Sequence, residues 1–489
     1  MCVNERKGRF LPGNAGGNPL PALRFACEKE GKVSPMEWEA IEKRLNSLLA
    51  AGKHGELRGA MMMLNEVDIA QYMETLDKEK LLLVFRILPK DISADVFSYM
   101  SPEQKQTLIA SIGDQEICAL IDNMFLDDAV DFLEELPAGV VRRVLQSTNA
   151  ETRNLINQFL RYPENSAGSI MTIEYLEFHE GETVADAMAT IRKVGLDKET
   201  IYTLYIIDSA RRLLGTLALR KMILADNSAV LSDMMDANPV FVHTTDDQEK
   251  VADLVRRYDL LAIPVVDTEE RLVGIITADD VMDVIEQENT EDFEKMAALT
   301  PSEEEYLKTP VLRMAINRIP WLLLLAVIAI FTGMIIQNYE SLLSGLGHIG
   351  IVLTTCIPML MDTGGNCGAQ SSTLIIRGLS LGEIQLKDFF KALWKEFRVA
   401  LLVGAVMFAF TLLRLRFVNG TDWNVAFVVA IALYCTIVLA KALGCAMPML
   451  ARKLGLDPAL MASPLITTIV DMASLSIYFT IATVMLPVA

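Results

Sequence analysis

The stretch MLMDTGGNCGAQSS, residues 359–372, lies between the apolar runs IGIVLTTCIP and TLIIRGL. It places a carboxylate (Asp362), two adjacent glycines (Gly364, Gly365) and two amides (Asn366, Gln370) inside a segment, about 345–376, long enough to cross a bilayer. Polar groups at that depth need either protein partners or a water-lined cavity. Pro358 and Gly364-Gly365 predict a break in the helix, with carbonyls freed toward a cavity as in channel filters. The competing reading is a Pro/Gly kink that packs helices closely.

Four more apolar segments accompany it: 319–337, about 399–413, about 423–450 and about 462–488. The third is short and reaches spanning length only with its flanks. Five spans put the chain termini on opposite sides. With the N-terminus inside, the inner segments carry nine Lys and Arg (Arg313, Arg318, Arg377, Lys387, Lys391, Lys395, Arg398, Arg452, Lys453) and the outer loops carry Arg414 and Arg416. That asymmetry fits a cytoplasmic N-terminus and an outer C-terminus in the cell membrane. Three charges fall inside the spans: Asp362, Lys441 and Asp471. Asp471, in SPLITTIVDMASLSIYF, has Thr467, Thr468, Ser474 and Ser476 around it, a polar stripe on an apolar helix. Around Asp362 and Asp471 these spans offer carboxylate, amide, hydroxyl and carbonyl oxygens, no imidazole, and thiols only at Cys356 and Cys367, a donor set that suits the hard cations Mg²⁺ and Ca²⁺. Mg²⁺ holds its water tightly, so a wide polar site gripping the hydrated ion is the expected form.

The remaining 318 residues are a different body. They hold 55 acids against 34 bases, whereas the apolar part holds 8 against 10. The resulting −21 disfavours nucleic acid as a partner and is compatible with collecting cations. The seven cysteines form no CxxC pair, so neither a disulfide framework nor a zinc site is expected. Residues 1–35 read as a disordered tail without the apolar core of a secretory signal. Residues 36–160 read as short helices at amphipathic spacing, stacked as helical hairpins. From 161 to 288 a unit recurs about sixty residues apart: an apolar strand ending in Asp (Asp208, Asp267), then a strand containing Gly (Gly215, Gly274), then a helix. Residues 289–318 are charged and helix-forming, and connect the two bodies.

The repeat resembles a tandem pair of CBS domains, a regulatory module that often binds adenine nucleotides. GIITADD (274–280) carries the family's Gly-h-h-Thr-x-x-Asp pattern, so Thr277 and Asp280 are the candidate contacts to a nucleotide such as ATP. The first copy, GTLALRK, lacks the Asp, which makes any such site lopsided. The whole chain from about Met36 resembles MgtE-type magnesium channels. The resemblance rests on Pro358 with Gly364, Gly365, Asn366, Gly368 and Gln370, then TLIIRG, and on LARKLGLDPALMASPLITTIVD. It implies a multidomain membrane protein: an all-α cytosolic domain of helical hairpins, an α+β CBS pair, a connecting helix and a transmembrane domain of five helices (319–489). It also implies a homodimer in the lipid bilayer, with Mg²⁺ as both transported ion and regulator.

By the same resemblance the pore site is Asp471 with Gly364, Gly365 and Asn366. Ser474 stands where the family commonly has Gly, and Asp362 and Lys441 have no counterpart role. Regulatory Mg²⁺ is expected at Asp95, Asp127, Asp131, Asp280, Asp283, Glu288, Glu291, Asp292 and Asp457, holding the pore shut when the cell is replete. Facing carboxylates repel until a divalent bridges them, which is the physical basis of such a gate. No GxxxxGK[ST] phosphate loop supplies an energy source. Competing classes are an intramembrane protease, a carrier of Mn²⁺, Co²⁺ or Ca²⁺, and a CBS membrane sensor that transports nothing. A zinc protease would need HExxH, which is absent; an aspartyl protease would need a pair such as Asp362 and Asp471.

Overall fold

The computed structural model describes residues 35–486 apart from 122, 135, 137–140, 143, 146–147, 303–305, 308 and 462. The expected tail lies outside the described residues. The chain divides into two units, Met1–Ile285 and Glu286–Ala489.

The first unit opens with short helices: α1 Pro35–Ala50, α2 His54–Met61, α3 Glu66–Glu74, α4 Lys78–Ile87, α5 Lys90–Ser98, α6 Pro102–Ile109, α7 Asp114–Ile121, α8 Leu126–Glu134 and α9 Ala150–Phe159. Their starts are set locally. Asn65, Asp77 and Asn149 accept hydrogen bonds from the first-turn N–H groups of α3, α4 and α9, which satisfies donors the helix itself leaves orphaned. Phe97 of α5 packs edge-on against Phe132 of α8, centroids 4.9 Å apart, inside a core that continues through Ile263, Val265 and Ile276.

Two three-stranded sheets follow, each with its helices: β1 Glu177–His179, α10 Val184–Val194, β2 Thr203–Ile207, β3 Leu213–Ala218 and α11 Leu219–Ile223; then β4 Val242–His243, α12 Gln248–Tyr258, β5 Ala262–Val266, β6 Leu272–Thr277 and α13 Ala278–Met296. In each sheet the first strand pairs parallel with the second, and the second antiparallel with the third. The repeated Asp and Gly have the same cause in both copies. Asp208 Oδ1 accepts from the N–H groups of Ala210 and Arg212, and Asp267 Oδ1 from those of Glu269 and Arg271, closing matched Asx turns. A Cβ on Gly215 would stand 2.5 Å from the Asp236 carbonyl oxygen, and one on Gly274 2.9 Å from that of Thr172. At both positions a crossing chain bridges to the next residue, Thr216 to Asp236 and Ile275 to Thr172, so only glycine leaves room.

In the second unit the charged stretch 289–318 is not one helix: α13 ends at Met296 and the next helix begins at Val311. The long helices are α14 Val311–Asn338, α16 His348–Ser380, α17 Phe389–Phe417, α18 Trp423–Lys453 and α19 Ser463–Met485, with the short α15 Glu340–Gly345 before α16. Among the described residues, four apolar segments, Val311–Gly345, Leu386–Phe417, Trp423–Lys453 and Pro458–Met485, are long and apolar enough to cross a membrane. Helix α16 has the length, at 33 residues, and its polar residues keep it out of that set. Helix α18 is central: Val425, Ala426, Val428, Val429, Leu433 and Ile437 are all buried. Helix α17 turns Leu402, Val406, Phe410, Leu413 and Phe417 outward at helical spacing, the pattern of a lipid-facing side.

The expected break at Pro358 and Gly364-Gly365 is not there. Helix α16 runs unbroken through all three residues, and the glycines serve close packing instead. A Cβ on Gly444 of α18 would stand 2.3 Å from the Gly368 carbonyl oxygen. Between apolar helices, such small-residue contacts let dispersion attraction act over a larger backbone area. Gly444→Val should therefore destabilise the protein by about 1–3 kcal/mol through overpacking. Thermal unfolding of the detergent-solubilised chain measures this, with Gly55→Ala, whose Cβ would meet nothing within 4 Å, as the tolerated control.

Candidate ion path and acidic sites

Helix α16 separates its chemistry by face. Gly364, Gly365, Cys367, Gly368, Ser371 and Ser372 are buried. Asp362, Asn366, Gln370 and Thr373 are exposed, spaced four, four and three residues apart, and Thr355 and Arg377 extend the same line. The result is a continuous polar stripe on one side of an otherwise packed helix. The buried side meets α19: a Cβ on Gly364 would stand 2.9 Å from Ser474 Oγ, and one on Gly365 3.0 Å from Thr467 Cγ2. Gly364 and Gly365 are thus contact points for α19. That contact brings the carboxylates of Asp362 and Asp471 close enough to interact electrostatically.

Ser474 has turned inward. It is buried, its hydroxyl donates to the Val470 carbonyl at 2.6 Å, and it lies against Gly364. Farther along α19, Ser476, Thr480 and Thr483 are exposed. Lys441 also finds partners. It is buried on α18, with Nζ 3.2 Å from Ser371 Oγ of α16 and 3.7 Å from Glu396 Oε2 of α17, and Ser371 Oγ donates to Glu396 at 2.6 Å.

In the first unit, four carboxylates from three parts of the chain approach one another. Asp127 and Asp128 stand in the first turn of α8, Asp280 in the first turn of α13, and Glu199 in the loop before β2. Asp127 Oδ1 is buried and, among the described residues, has no hydrogen-bond partner. Burial first, then the charges of Asp128, Asp280 and Glu199, push Asp127 well above the usual carboxylate range. Thr277 is buried and its hydroxyl donates to Asp280, so the two candidate nucleotide contacts hold each other. Asp95 stands on α5. Asp283 is exposed on α13. Asp131 belongs to α8, and its side chain lies outside the described residues.

A second cluster forms in the other unit. Lys295 of α13 bridges Glu291 at 2.6 Å and Asp457, in the turn after α18, at 2.7 Å. Burial alone would lower the lysine, but the two carboxylates outweigh it and push it up. Asp292 is raised by burial and by Asp457, Glu288 and Glu291, with Lys295 opposing. Among the described residues no three His, Cys, Asp or Glu side chains converge into a ligand cage.

Sequence reasoning missed Glu199, Lys295 and Glu396, and it put Ser371 and Ser372 on the polar face with Asn366 and Gln370, whereas both serines are buried. Glu199 stands 72 residues from Asp127 and carries no local signal. The others needed a helix boundary or a packing partner that only the fold supplies.

The raised Asp127 gives a signed expectation. Its proton affinity is higher folded than unfolded, so its contribution to stability is full below the ordinary carboxylate pKa. That contribution is lost as pH rises through the folded value. At pH 7 without divalents, Asp127→Asn should raise the melting temperature by about 2–4 °C for each kcal/mol relieved. It should also remove most of the stabilisation that added Mg²⁺ gives the parent chain. Both are read by thermal melts of the full chain with and without Mg²⁺.

Comparison with known proteins agrees with this architecture. The family model MgtE, a divalent cation transporter, matches residues 357–481; the MgtE intracellular N domain matches 64–165; a CBS domain matches 231–287. The chain is 35% identical over 452 residues to the magnesium transporter MgtE of Thermus thermophilus, covering 91% of this chain and 99% of that protein. It is 32% identical over 451 residues to the magnesium transporter MgtE of Bacillus subtilis, covering 92% and 98%. Among solved structures, the soluble part of a magnesium transporter is 30% identical with a TM-score of 0.50, covering 51% of this chain and 99% of that one. The cytosolic domain of the Mg²⁺ channel MgtE in complex with ATP is 35% identical with a TM-score of 0.48, covering 50% and 99%. Neither protease class survives these matches, and the chain belongs to the MgtE family of divalent cation transporters, multi-pass membrane proteins and not enzymes.

Proposed function

We propose that this chain admits Mg²⁺ passively through a pore lined by α16 and α19, which is closed when Mg²⁺ binds the acidic sites of its soluble part. The observation that carries the reading is the polar stripe Asp362–Asn366–Gln370 beside Asp471. A bare carboxylate pair at such depth is costly. A divalent cation turns the mutual repulsion into attraction, and the neighbouring amides can hold its water shell. In this reading α16 is the fifth span, its low hydropathy being the mark of a wet side. The soluble domains are cytoplasmic, the C-terminus is outside, and two copies face each other across a two-fold axis, so each pore carboxylate occurs twice. An inward membrane potential supplies about 4.6 kcal/mol per 100 mV for a divalent, at about 2.3 per charge.

For the gate, the buried Asp127 with Asp128, Glu199 and Asp280 is the stronger cation site. Glu288, Glu291, Asp292 and Asp457 form a second, in which Lys295 already supplies one positive charge. Asp280 is assigned to the cation site ahead of ATP, because Thr277 and the acidic cluster already engage it. An ion bound equally in open and closed states would shift nothing, so closure needs tighter binding to one of them.

The test is Mg²⁺ uptake into proteoliposomes at low and at millimolar internal Mg²⁺. Wild type should carry Mg²⁺ and slow when the interior is loaded. Asp471→Ala should abolish uptake, and Asp362→Ala should reduce it by about tenfold or less, as expected of an accessory charge. Asp127→Asn should keep uptake running at internal Mg²⁺ that closes the parent. Wild type that carries Mn²⁺, Co²⁺ or Ca²⁺ in preference, or no ion at all, would instead favour a different cargo or a sensor.

A further inference from the structure

Lys441, Ser371 and Glu396 come from three helices, α18, α16 and α17, and meet inside the bundle. Only 6% of the lysine side chain and 12% of the glutamate side chain are exposed. Ser371 is the hub: its hydroxyl accepts from Lys441 Nζ at 3.2 Å and donates to Glu396 Oε2 at 2.6 Å, while the two charges stand 3.7 Å apart. A buried ion pair is a poor source of net stability compared with apolar residues of the same volume, and its best-attested use is to fix one arrangement over others.

The place of this pair on α16 says which arrangement is fixed. The glycine contacts, Gly368 with Gly444 and Gly364 with Ser474, set how near α16 comes to its neighbours. Between Leu360 and Ile375, the large buried side chains that flank it, this stretch of α16 packs through glycines that have no side chain to resist local rotation or twist, so its angle depends on polar ties at this level. Ser371 directly follows Gln370, so turning α16 enough to swing Gln370 away would also pull the Ser371 hydroxyl off both charges. We infer that the Lys441–Ser371–Glu396 triad is a rotational clamp: a set of positioning residues that holds the Asp362–Asn366–Gln370 stripe toward the ion path. This rests on the transport reading above for its functional consequence, and on geometry alone for the clamp itself.

Ser371→Ala is the cleanest probe, because it detaches α16 while leaving Lys441 and Glu396 to neutralise each other. Two readouts are taken on the full chain in proteoliposomes. One is Mg²⁺ uptake. The other, which needs no transport, is the rate at which a water-soluble thiol reagent modifies Thr373→Cys on the stripe, read at that position by mass spectrometry. The clamp predicts that Ser371→Ala melts within about 2 °C of the parent, yet loses uptake by about threefold or more and changes the labelling rate by a similar factor. The paired variant Lys441→Met with Glu396→Gln should recover the stability that either single change loses, as expected when both buried charges go together. Its uptake should remain about fivefold down. Parent-like uptake and labelling in both Ser371→Ala and the paired variant would overturn the clamp. If wild type carries no Mg²⁺ but labelling still shifts in Ser371→Ala, the clamp stands and the transport reading falls.

Discussion

Everything the second unit does depends on how closely backbone can approach backbone around α16. Water cannot drive apolar helices together inside a bilayer, since lipid tails solvate them as well as leucine does. Contact must come from dispersion over matched surfaces and from a few polar ties. Gly364, Gly365, Gly368 and Gly444 provide the matched surface. The polar ties are Ser372 Oγ to the Met461 carbonyl at 2.7 Å, Tyr478 OH to the Leu353 carbonyl at 2.9 Å and Arg452 to the Leu379 carbonyl at 2.6 Å. With one side of α16 so completely used, its carboxylate and amides have a single direction left.

The sequence carried the repeat architecture of the soluble part well, for a physical reason. Asp208 and Gly215, and Asp267 and Gly274, are seven residues apart in each copy, and each pair reports a local event: an Asx turn, and a chain crossing that tolerates no Cβ. Such constraints leave residue types behind that are readable one at a time. The segment 345–376 was read as polar, as its exposed stripe is, and as broken, which its continuous helix is not. Glycine lowers helix propensity wherever it stands; whether it ends a helix or seats a neighbour is decided by the neighbour, which no local pattern reveals. Helix α17 was cut short for a related reason. Its first turns, FFKALWKEFR, look like a charged loop until Phe389 and Leu393 are seen packing near Ile375 and Met449.

Sites built from distant carboxylates were legible in composition and not in detail. A surplus of acids says only that carboxylates will crowd together somewhere. It does not say that Asp127 meets Glu199 and Asp280, or that a lysine stands between Glu291 and Asp457. Asp95 and Asp127 looked equivalent on amphipathic helices, and nothing local marked Asp127 as the one beside Asp128, Asp280 and Glu199. Lys441 stood out as a charge inside a span, but its partners did not: Ser371 and Glu396 lie on other helices, and only the fold brings the three together.

The start of α17 has a consequence of its own. Phe390 and Trp394 are exposed there in alternation with Lys391, Lys395 and Arg398, the composition of a helix end lodged among lipid headgroups, with aromatic rings at the boundary and long cationic stems reaching for phosphate. Glu396 belongs to the same two turns. With that end at a membrane surface, the height of the carboxylate relative to Lys441 would be set partly by the lipid. A thinner or less anionic bilayer would pull on α17 at its anchor, which makes lipid composition a mechanical input to the bundle.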